Sequence, residues 1–390
     1  MLTYISASKI FPVQTAAIIN GVLAIDEIGT IRGVYQPEEA KALNLPIDRH
    51  YDGYLVPGFI NTHCHLELSH LKDKIPTHTG LFRFVEQVMK IRKADDAEIT
   101  AAMEQADQQM YEQGIVAVGD ISNQLISKEV KLKSKLYYHT FVEAMGFNPA
   151  NATGIIKMAM ETKAALAPLS ASIVPHAPYS VSDNLFTEIL KISEGSANLL
   201  SMHNQETLAE NEFFQFKSGD FLNLYKILGL ELDFYQASGK SSLQSTLPKL
   251  ASSKTLLVHN TRTSLEDVKF AKSTHPNLYW CLCPNANLYI ENTLPDVEML
   301  EQEGLNLTLG TDSLASNHQL SILKEMQTLQ AEKQVDFDTM IKWATLNGAS
   351  FLGIEDKYGS FTVGKTPGVI LLEAIADAMI TNDTRPRRII

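Results

Sequence analysis

Two histidines separated by one residue close an apolar run, Pro57-Gly58-Phe59-Ile60-Asn61-Thr62-His63-Cys64-His65. On a β-strand side chains alternate faces, so His63 and His65 project to one side and Cys64 to the other. Two imidazoles on one face at a strand end are half of a metal site. The tripeptide alone is a weak signal, because short histidine pairs often arise by chance. Other polar residues also stand where apolar runs stop. These are Leu199-Leu200-Ser201-Met202-His203 followed by Asn204-Gln205-Glu206, then Thr255-Leu256-Leu257-Val258-His259, then Leu305-Asn306-Leu307-Thr308-Leu309-Gly310-Thr311-Asp312. Imidazoles with one carboxylate suit Zn²⁺ or Fe²⁺ and leave a position open for water. A metal in such a set lowers the pKa of its water toward about 7. Glu206, just past His203, could take the water proton and pass it to a leaving nitrogen. His259 fits either a fourth ligand or a group that orients the hydroxide. An isolated Glu is usually surface charge and an isolated buried His a satisfied core residue. Ordered placement at successive strand ends weighs against both readings.

Such a set needs a scaffold that brings strand ends together. From Pro57 onward apolar runs alternate with helical stretches, the texture of βα units around a parallel sheet. Strand candidates after the first are Ile115–Ile121, Leu136–Val142, Ala171–Pro175, Asn198–His203, Thr255–His259, Leu278–Cys283 and Leu305–Thr311, eight in all. Helical periodicity falls between them at Ile99–Gln113, Ile155–Leu166, Ser182–Ser193 (with Ser182 as N-cap) and Ser264–Lys272. Eight units predict an α/β fold, a (β/α)8 TIM barrel. The intervals from His65 to His203 and from His259 to Asp312 both suit units of about 30 residues. A doubly wound sheet is the competing architecture, but no Gly-rich phosphate loop follows the first strand. In the last strand the leucines alternate toward the helices, leaving Asn306, Thr308, Gly310 and Asp312 on the barrel-facing side. The candidate ligands would then gather at the C-terminal mouth. Strand four has no lysine that could become a carbamate bridging two metals, so one ion is expected.

Residues 1–55 read as short strands split by turn signals, with Asn20-Gly21 as a hairpin-type turn. Strand signals return at 359–365 and 369–373. The expected division is a small β-sandwich domain built from both chain ends (1–55 and 356–390) around a metal-dependent barrel at 56–355. Between Glu206 and Lys254 lie Phe213, Phe214, Phe216, Phe221, Tyr225, Phe234 and Tyr235. Packing of extra helices is favoured there over an apolar lid. The chain has 390 residues, is 45% hydrophobic and carries a net charge of −12. That charge argues against nucleic acid or an anionic membrane surface as the main partner. A run of about 18 apolar residues, as a membrane span requires, is missing. Three cysteines without a disulfide-framework spacing point to reduced thiols and a cytoplasmic protein.

As an ordered set these residues resemble the amidohydrolase superfamily, in its mononuclear aminohydrolase branch. That branch holds guanine, cytosine and methylthioadenosine/S-adenosylhomocysteine deaminases and the triazine hydrolases. The resemblance also covers His176-Ala177-Pro178-Tyr179-Ser180, Cys283-Pro284-Asn285 and Gly310-Thr311-Asp312-Ser313. It implies one divalent ion, zinc first and iron(II) as the alternative, held by His63, His65, His203 and Asp312. Glu206 would be the proton shuttle, and His259 would orient the hydroxide, with Asp312 counted among the catalytic groups. His176, Ser316 and Glu67 are the candidates for substrate contact. The implied reaction is hydrolytic deamination of an amino-substituted heterocycle, an adenine-type nucleoside such as aminodeoxyfutalosine, methylthioadenosine or S-adenosylhomocysteine. Loss of chloride or an amide amine from a related ring, or deamination of a nucleobase, is the alternative. Leu66-Glu67-Leu68-Ser69 with Gly80-Leu81-Phe82-Arg83-Phe84 is similar to the subgroup that includes aminodeoxyfutalosine deaminases. The implied partner is a small molecule, and relatives suggest a homodimer.

Overall fold

The computed structural model describes residues 1–194 and 198–390. The chain opens with strands β1 (Leu2–Ile10), β2 (Ile18–Ile19), β3 (Val22–Asp26), β4 (Ile31–Tyr35) and β5 (Arg49–Pro57). Four parallel strands follow, β6 (Phe59–Cys64), β7 (Ile115–Ile121), β8 (Tyr137–Ala144) and β9 (Ser170–Pro175). A second parallel set comprises β10 (Leu200–Asn204), β11 (Thr255–His259), β12 (Leu278–Leu282) and β13 (Leu307–Leu309). Near the end β14 (Val369–Glu373) and β15 (Arg385–Arg388) rejoin the N-terminal strands.

The eight parallel strands form two four-stranded sheets rather than one unbroken ladder. The seams between them are bridged at their C-terminal ends. At one, His203 N–H donates to His176 O at 2.9 Å. At the other, Thr311 and Asp312 N–H both donate to His63 O, at 3.0 and 3.1 Å, and Cys64 bridges Asp312. Strand alternation sorts the apolar side chains into two layers. Ile60, Ala117, Phe141, Val174, Leu256, Val258 and Cys281 pack in one cluster. Their neighbours Phe59, Val118, Val142, Ile173, Leu257 and Trp280 pack in another, against the surrounding helices. Phe351, from the helix Gly348–Leu352, stacks on Phe141 with ring centroids 6.0 Å apart and belongs to the first layer.

Helices form where expected, at Asp96–Glu112, Ala152–Ala165, Asp183–Ser193 and Leu265–Thr274. Ser182 caps the third through Leu185 N–H, and Ser264 caps the fourth in a box with Asp267.

The terminal strands differ from expectation. They form one seven-stranded mixed sheet, ordered β15-β14-β5-β1-β3-β4 with β2 on β1, and not two facing sheets. Asn20-Gly21 does not close a hairpin: β2 and β3 both run antiparallel to β1. Residues 359–365 are a loop and not a strand. Backbone hydrogen bonds pin that loop to the sheet, from Phe361 N–H to Pro12 O and from Gly364 N–H to Ile31 O.

The aromatic-rich segment folds as the helices Leu208–Phe216, Phe221–Ile227 and Ser242–Thr246. Phe213, Phe214, Phe221 and Tyr225 are buried with Phe147 and Tyr179 in a separate apolar cluster. Phe216 stays 70% exposed. These buried rings pack together, and Tyr225 also lines the cavity described below.

Candidate active site

His63 lies on β6 and His65 directly after it. Alternation turns both rings to one side, while Cys64 is buried away from them. His203 comes from β10, and Asp312 from the turn after β13. Their ring nitrogens converge. His65 Nε2 is 3.1 Å from His63 Nε2 and 3.3 Å from His203 Nε2. Asp312 Oδ1 stands 3.4 Å from His65 Nε2 and 3.7 Å from His63 Nε2. Zn–N bonds of about 2.0–2.1 Å at tetrahedral angles would place ligand nitrogens about 3.3 Å apart. The four donors therefore fit a divalent ion such as zinc.

Their protonation fits as well. Burial, against the pull of Asp312, holds His65 down to about 3 and lowers His63. Burial also puts His203 well below the usual imidazole range. For Asp312 burial favours the neutral acid, but the surrounding imidazoles outweigh it and keep the carboxyl well below the ordinary carboxylate range. Neutral imidazoles around an ionised carboxylate are what a cation requires. His203 Nδ1–H donates to His176 O at 2.7 Å, which turns its Nε2 toward the cluster.

Space is tight behind the site. A Cβ on Gly310 would lie 2.9 Å from His63 Cβ and 2.8 Å from Cys281 Sγ, so glycine lets β13 approach β6. Several non-glycine residues at the strand ends adopt left-handed backbone: Gln205 (φ 45°), His259 (φ 73°), Asn260 (φ 58°) and Asp312 (φ 55°). Such conformations persist where surrounding structure over-determines them. Here Asn260 Nδ2 ties two carbonyls, Leu257 O at 2.9 Å and Cys281 O at 3.2 Å. Asn317 Nδ2 holds Thr311 O at 2.9 Å.

Glu206 and His259 stand beside the donors, with Oε2 and Nε2 3.7 Å apart. His259 Nδ1–H donates to Asn287 Oδ1 at 2.9 Å. Asn287 Nδ2 is itself committed to Thr261 Oγ1 at 2.8 Å, so the amide presents its oxygen to the ring. Nε2 is left facing Glu206. Burial pushes the Glu206 carboxyl up to about 7, against His259 and with help from Asp312, Glu210 and Glu291.

These groups line one end of a cavity of about 390 Å³. Leu81, Phe84, Val88, Leu224, Leu228 and Ile290 make much of its remaining wall. The volume and apolar lining are those of a small-molecule site. His176 lies on the wall, its Nδ1 2.6 Å from Ser180 Oγ. Glu67 also reaches the wall, and its carboxylate accepts from Ser122 Oγ and from the N–H groups of Asn123 and Gln124. Ser316 is fully buried and donates to Asp312 Oδ2 at 2.6 Å, which fixes the orientation of that carboxylate. Sequence reasoning passed over Glu143, Arg92, Asn123 and Asn287. Glu143 Oε1 is 3.5 Å from His203 Nδ1, and burial raises its carboxyl to about 8. A charged residue closing the apolar run of β8 was the available signal.

Comparison with known proteins agrees with this geometry. An adenosine deaminase of Helicobacter pylori is 29% identical over 348 residues, covering 86% of this chain and 83% of that protein. The structure of Helicobacter pylori aminofutalosine deaminase in complex with methylthio-coformycin superposes with a TM-score of 0.82 at 22% identity, covering all of both chains. An adenosine deaminase from Xanthomonas campestris with bound zinc gives a TM-score of 0.72 at 20% identity, over 96% of this chain and 85% of that one. These likenesses place the fold among TIM-barrel types. Residues 54–390 match the Amidohydrolase family profile, which takes in every donor described above, and the chain belongs to that family.

Proposed function

We propose that this chain is a metal-dependent hydrolase that deaminates an adenine-type nucleoside. The observation that carries the reading is the meeting, at one end of a mostly apolar cavity, of four converging metal donors with Glu206 and His259. A bound divalent ion supplies a Lewis acid that brings water ionisation toward about pH 7. Glu206, with its carboxyl near neutrality, takes the proton of the attacking water and returns it to the departing amine nitrogen. His259 Nε2, fixed in direction through Asn287, holds the attacking oxygen and polarises the scissile centre. His176 is assigned to substrate contact, while Ser316 and Glu67 support it by holding Asp312 and the turn at Ser122–Gln124. Names of relatives support adenosine-type substrates, with aminodeoxyfutalosine, methylthioadenosine and S-adenosylhomocysteine as the candidates. Zinc is placed before iron for this site, a preference supported by the zinc bound in the Xanthomonas campestris adenosine deaminase.

The same reading closes the two parallel sheets into one (β/α)8 barrel at 56–355, with a terminal unit from 1–55 and 356–390. It also takes in a cytoplasmic location, which the three buried free cysteines support, and a homodimer, which rests on the family resemblance alone. No helix among the described residues is long and apolar enough to cross a membrane.

The test is ammonia release by zinc-loaded protein across adenosine, 5′-deoxyadenosine derivatives, guanine and cytosine. Turnover confined to adenine nucleosides is expected. Metal-loaded protein that releases no ammonia from any of them would overturn the reading. His63→Ala is expected to lose the metal by elemental analysis, and unchanged content would remove His63 from the site.

A further inference from the structure

Among the described residues no hydrogen bond restrains the Glu206 carboxyl, which faces His259 Nε2 across 3.7 Å. A group that trades protons with water needs its oxygens free, so its direction must come from the backbone that carries it. That backbone is held in a particular way. Gln205 adopts a left-handed φ of 45°, and its carbonyl accepts from Arg262 N–H at 2.8 Å. Gln205 N–H donates to Glu210 Oε1 at 3.0 Å, and Glu206 N–H donates to Glu210 Oε2 at 3.4 Å. One carboxylate thus spans the peptide N–H of the proton shuttle and that of the residue before it.

Glu210 is the third residue of the helix Leu208–Phe216, whose N-cap is Thr207. A glutamate at that place commonly reaches back to the N–H of its own N-cap. Here both oxygens pass beyond Thr207 to the turn that closes β10. Glu210 is also fully buried, where a carboxylate is costly unless it is hydrogen-bonded, so a favourable helix dipole does not account for it. Its charge is among those that keep the Glu206 carboxyl near neutrality. The Gln205 side chain is anchored separately, on Asp267 Oδ2 at 2.9 Å, so losing Glu210 frees the Glu206 peptide without releasing the whole turn.

We propose that Glu210 is a positioning residue: by holding the Gln205 and Glu206 N–H groups in one carboxylate, it fixes the direction in which the Glu206 carboxyl meets water and substrate. The inference rests on the nucleoside deaminase reading and deepens it.

The test uses the zinc-loaded full chain with adenosine and 5′-methylthioadenosine. Glu210→Met keeps much of the bulk of the side chain and removes both acceptor oxygens. Its kcat per bound zinc is expected to fall roughly 10- to 100-fold, with KM within about 3-fold of wild type. A role in folding alone would lower the folded fraction and leave kcat per bound zinc unchanged, and that result would overturn the proposal. Action through Glu206 also predicts non-additive losses. In a Glu206→Gln background, Glu210→Met is expected to lower kcat by less than about 3-fold further. A further loss as large as in wild type would overturn the proposal. If Glu210→Met does not fold, Glu210→Gln, which keeps one acceptor oxygen, is read in the same way with an expected loss of roughly 3- to 10-fold. Amide hydrogen exchange decides the hold without turnover. Gln205 and Glu206 N–H are expected to exchange about 10-fold faster in Glu210→Met, while His203 N–H, bonded to His176 O, keeps its rate. Faster exchange confined to those two groups supports the hold whatever the substrate. Unchanged exchange overturns it, even if no nucleoside is deaminated and the deaminase reading has failed separately.

Discussion

A carboxyl that takes a proton and gives it back works best when its pKa lies near the operating pH, and burial brings Glu206 to about 7. Glu206→Gln keeps the shape and removes the exchangeable proton. Its kcat is expected to fall roughly 10²- to 10⁴-fold with metal content unchanged by elemental analysis. A smaller loss would take Glu206 out of the reaction. A second buried acid yields a stability prediction. Glu325 accepts from Asn317 Nδ2 at 2.8 Å and Asn285 N–H at 2.9 Å, and burial lifts it from 4.5 to about 8. Between those values the folded state binds more protons than the unfolded state, so stability falls as pH rises. Glu325→Gln is expected to match wild type in Tm near pH 4.5 and to gain on it progressively up to pH 8. A difference that stays constant with pH would refute the assignment. His63, His203, His259 and Asp312 were legible because each ends or follows an apolar run. Glu143 was not, because its strand was ended one residue early, at Val142. Arg92 and Asn287 were hidden for another reason. A cation at a helix end and an amide inside a helix look like ordinary surface chemistry until the fold turns them inward.

At the scale of elements, the turn after β6 depends on a buried ion pair. Asp120 on β7 accepts from Leu66 N–H at 2.8 Å, and its other oxygen meets Lys131 Nζ at 2.7 Å with both side chains fully buried. Lys131 belongs to the helix Lys128–Lys133. The pair therefore links a strand, a helix and the residue directly after His65. Lys131→Met leaves Asp120 buried without its partner, at the cost of an unpaired carboxylate or of protonating it, and is expected to cost roughly 3–5 kcal/mol. Denaturant unfolding checks this, and a loss under about 1 kcal/mol would mean that water reaches Asp120. The strands and most helices of 56–355 were readable because burial on both sides writes continuous apolar runs. The terminal sheet was less so. β5 begins with Arg49-His50-Tyr51-Asp52 and β15 reads Arg385-Pro386-Arg387-Arg388, polar sequences that long-range pairing makes extended. Local propensity carries no record of such pairing.

For the whole molecule, the terminal sheet is fastened to the remainder by its last strand. Arg388 donates to Tyr111 O at 3.0 Å and Ile115 O at 2.7 Å, and its guanidinium lies 4.0 Å from the Tyr111 ring centroid. Arg388→Ala is expected to cost about 1–3 kcal/mol in denaturant unfolding and to leave zinc content intact. Zinc loss in the folded variant would show that the terminal sheet shapes the site directly. The two parallel sheets have a consequence of their own. His63 and His65 leave the edge strand β6 of one sheet, whereas His203 and Asp312 leave the edge strands β10 and β13 of the other. An ion held by all four would join β6 of one sheet to β10 and β13 of the other, so its binding energy adds to the cohesion of the halves. Chelation is then expected to quicken amide hydrogen exchange first at His203 and Thr311, whose N–H groups cross the seams, while Leu257 in mid-sheet stays protected. Exchange that quickens evenly along β11 as well would mean that the halves hold together without it.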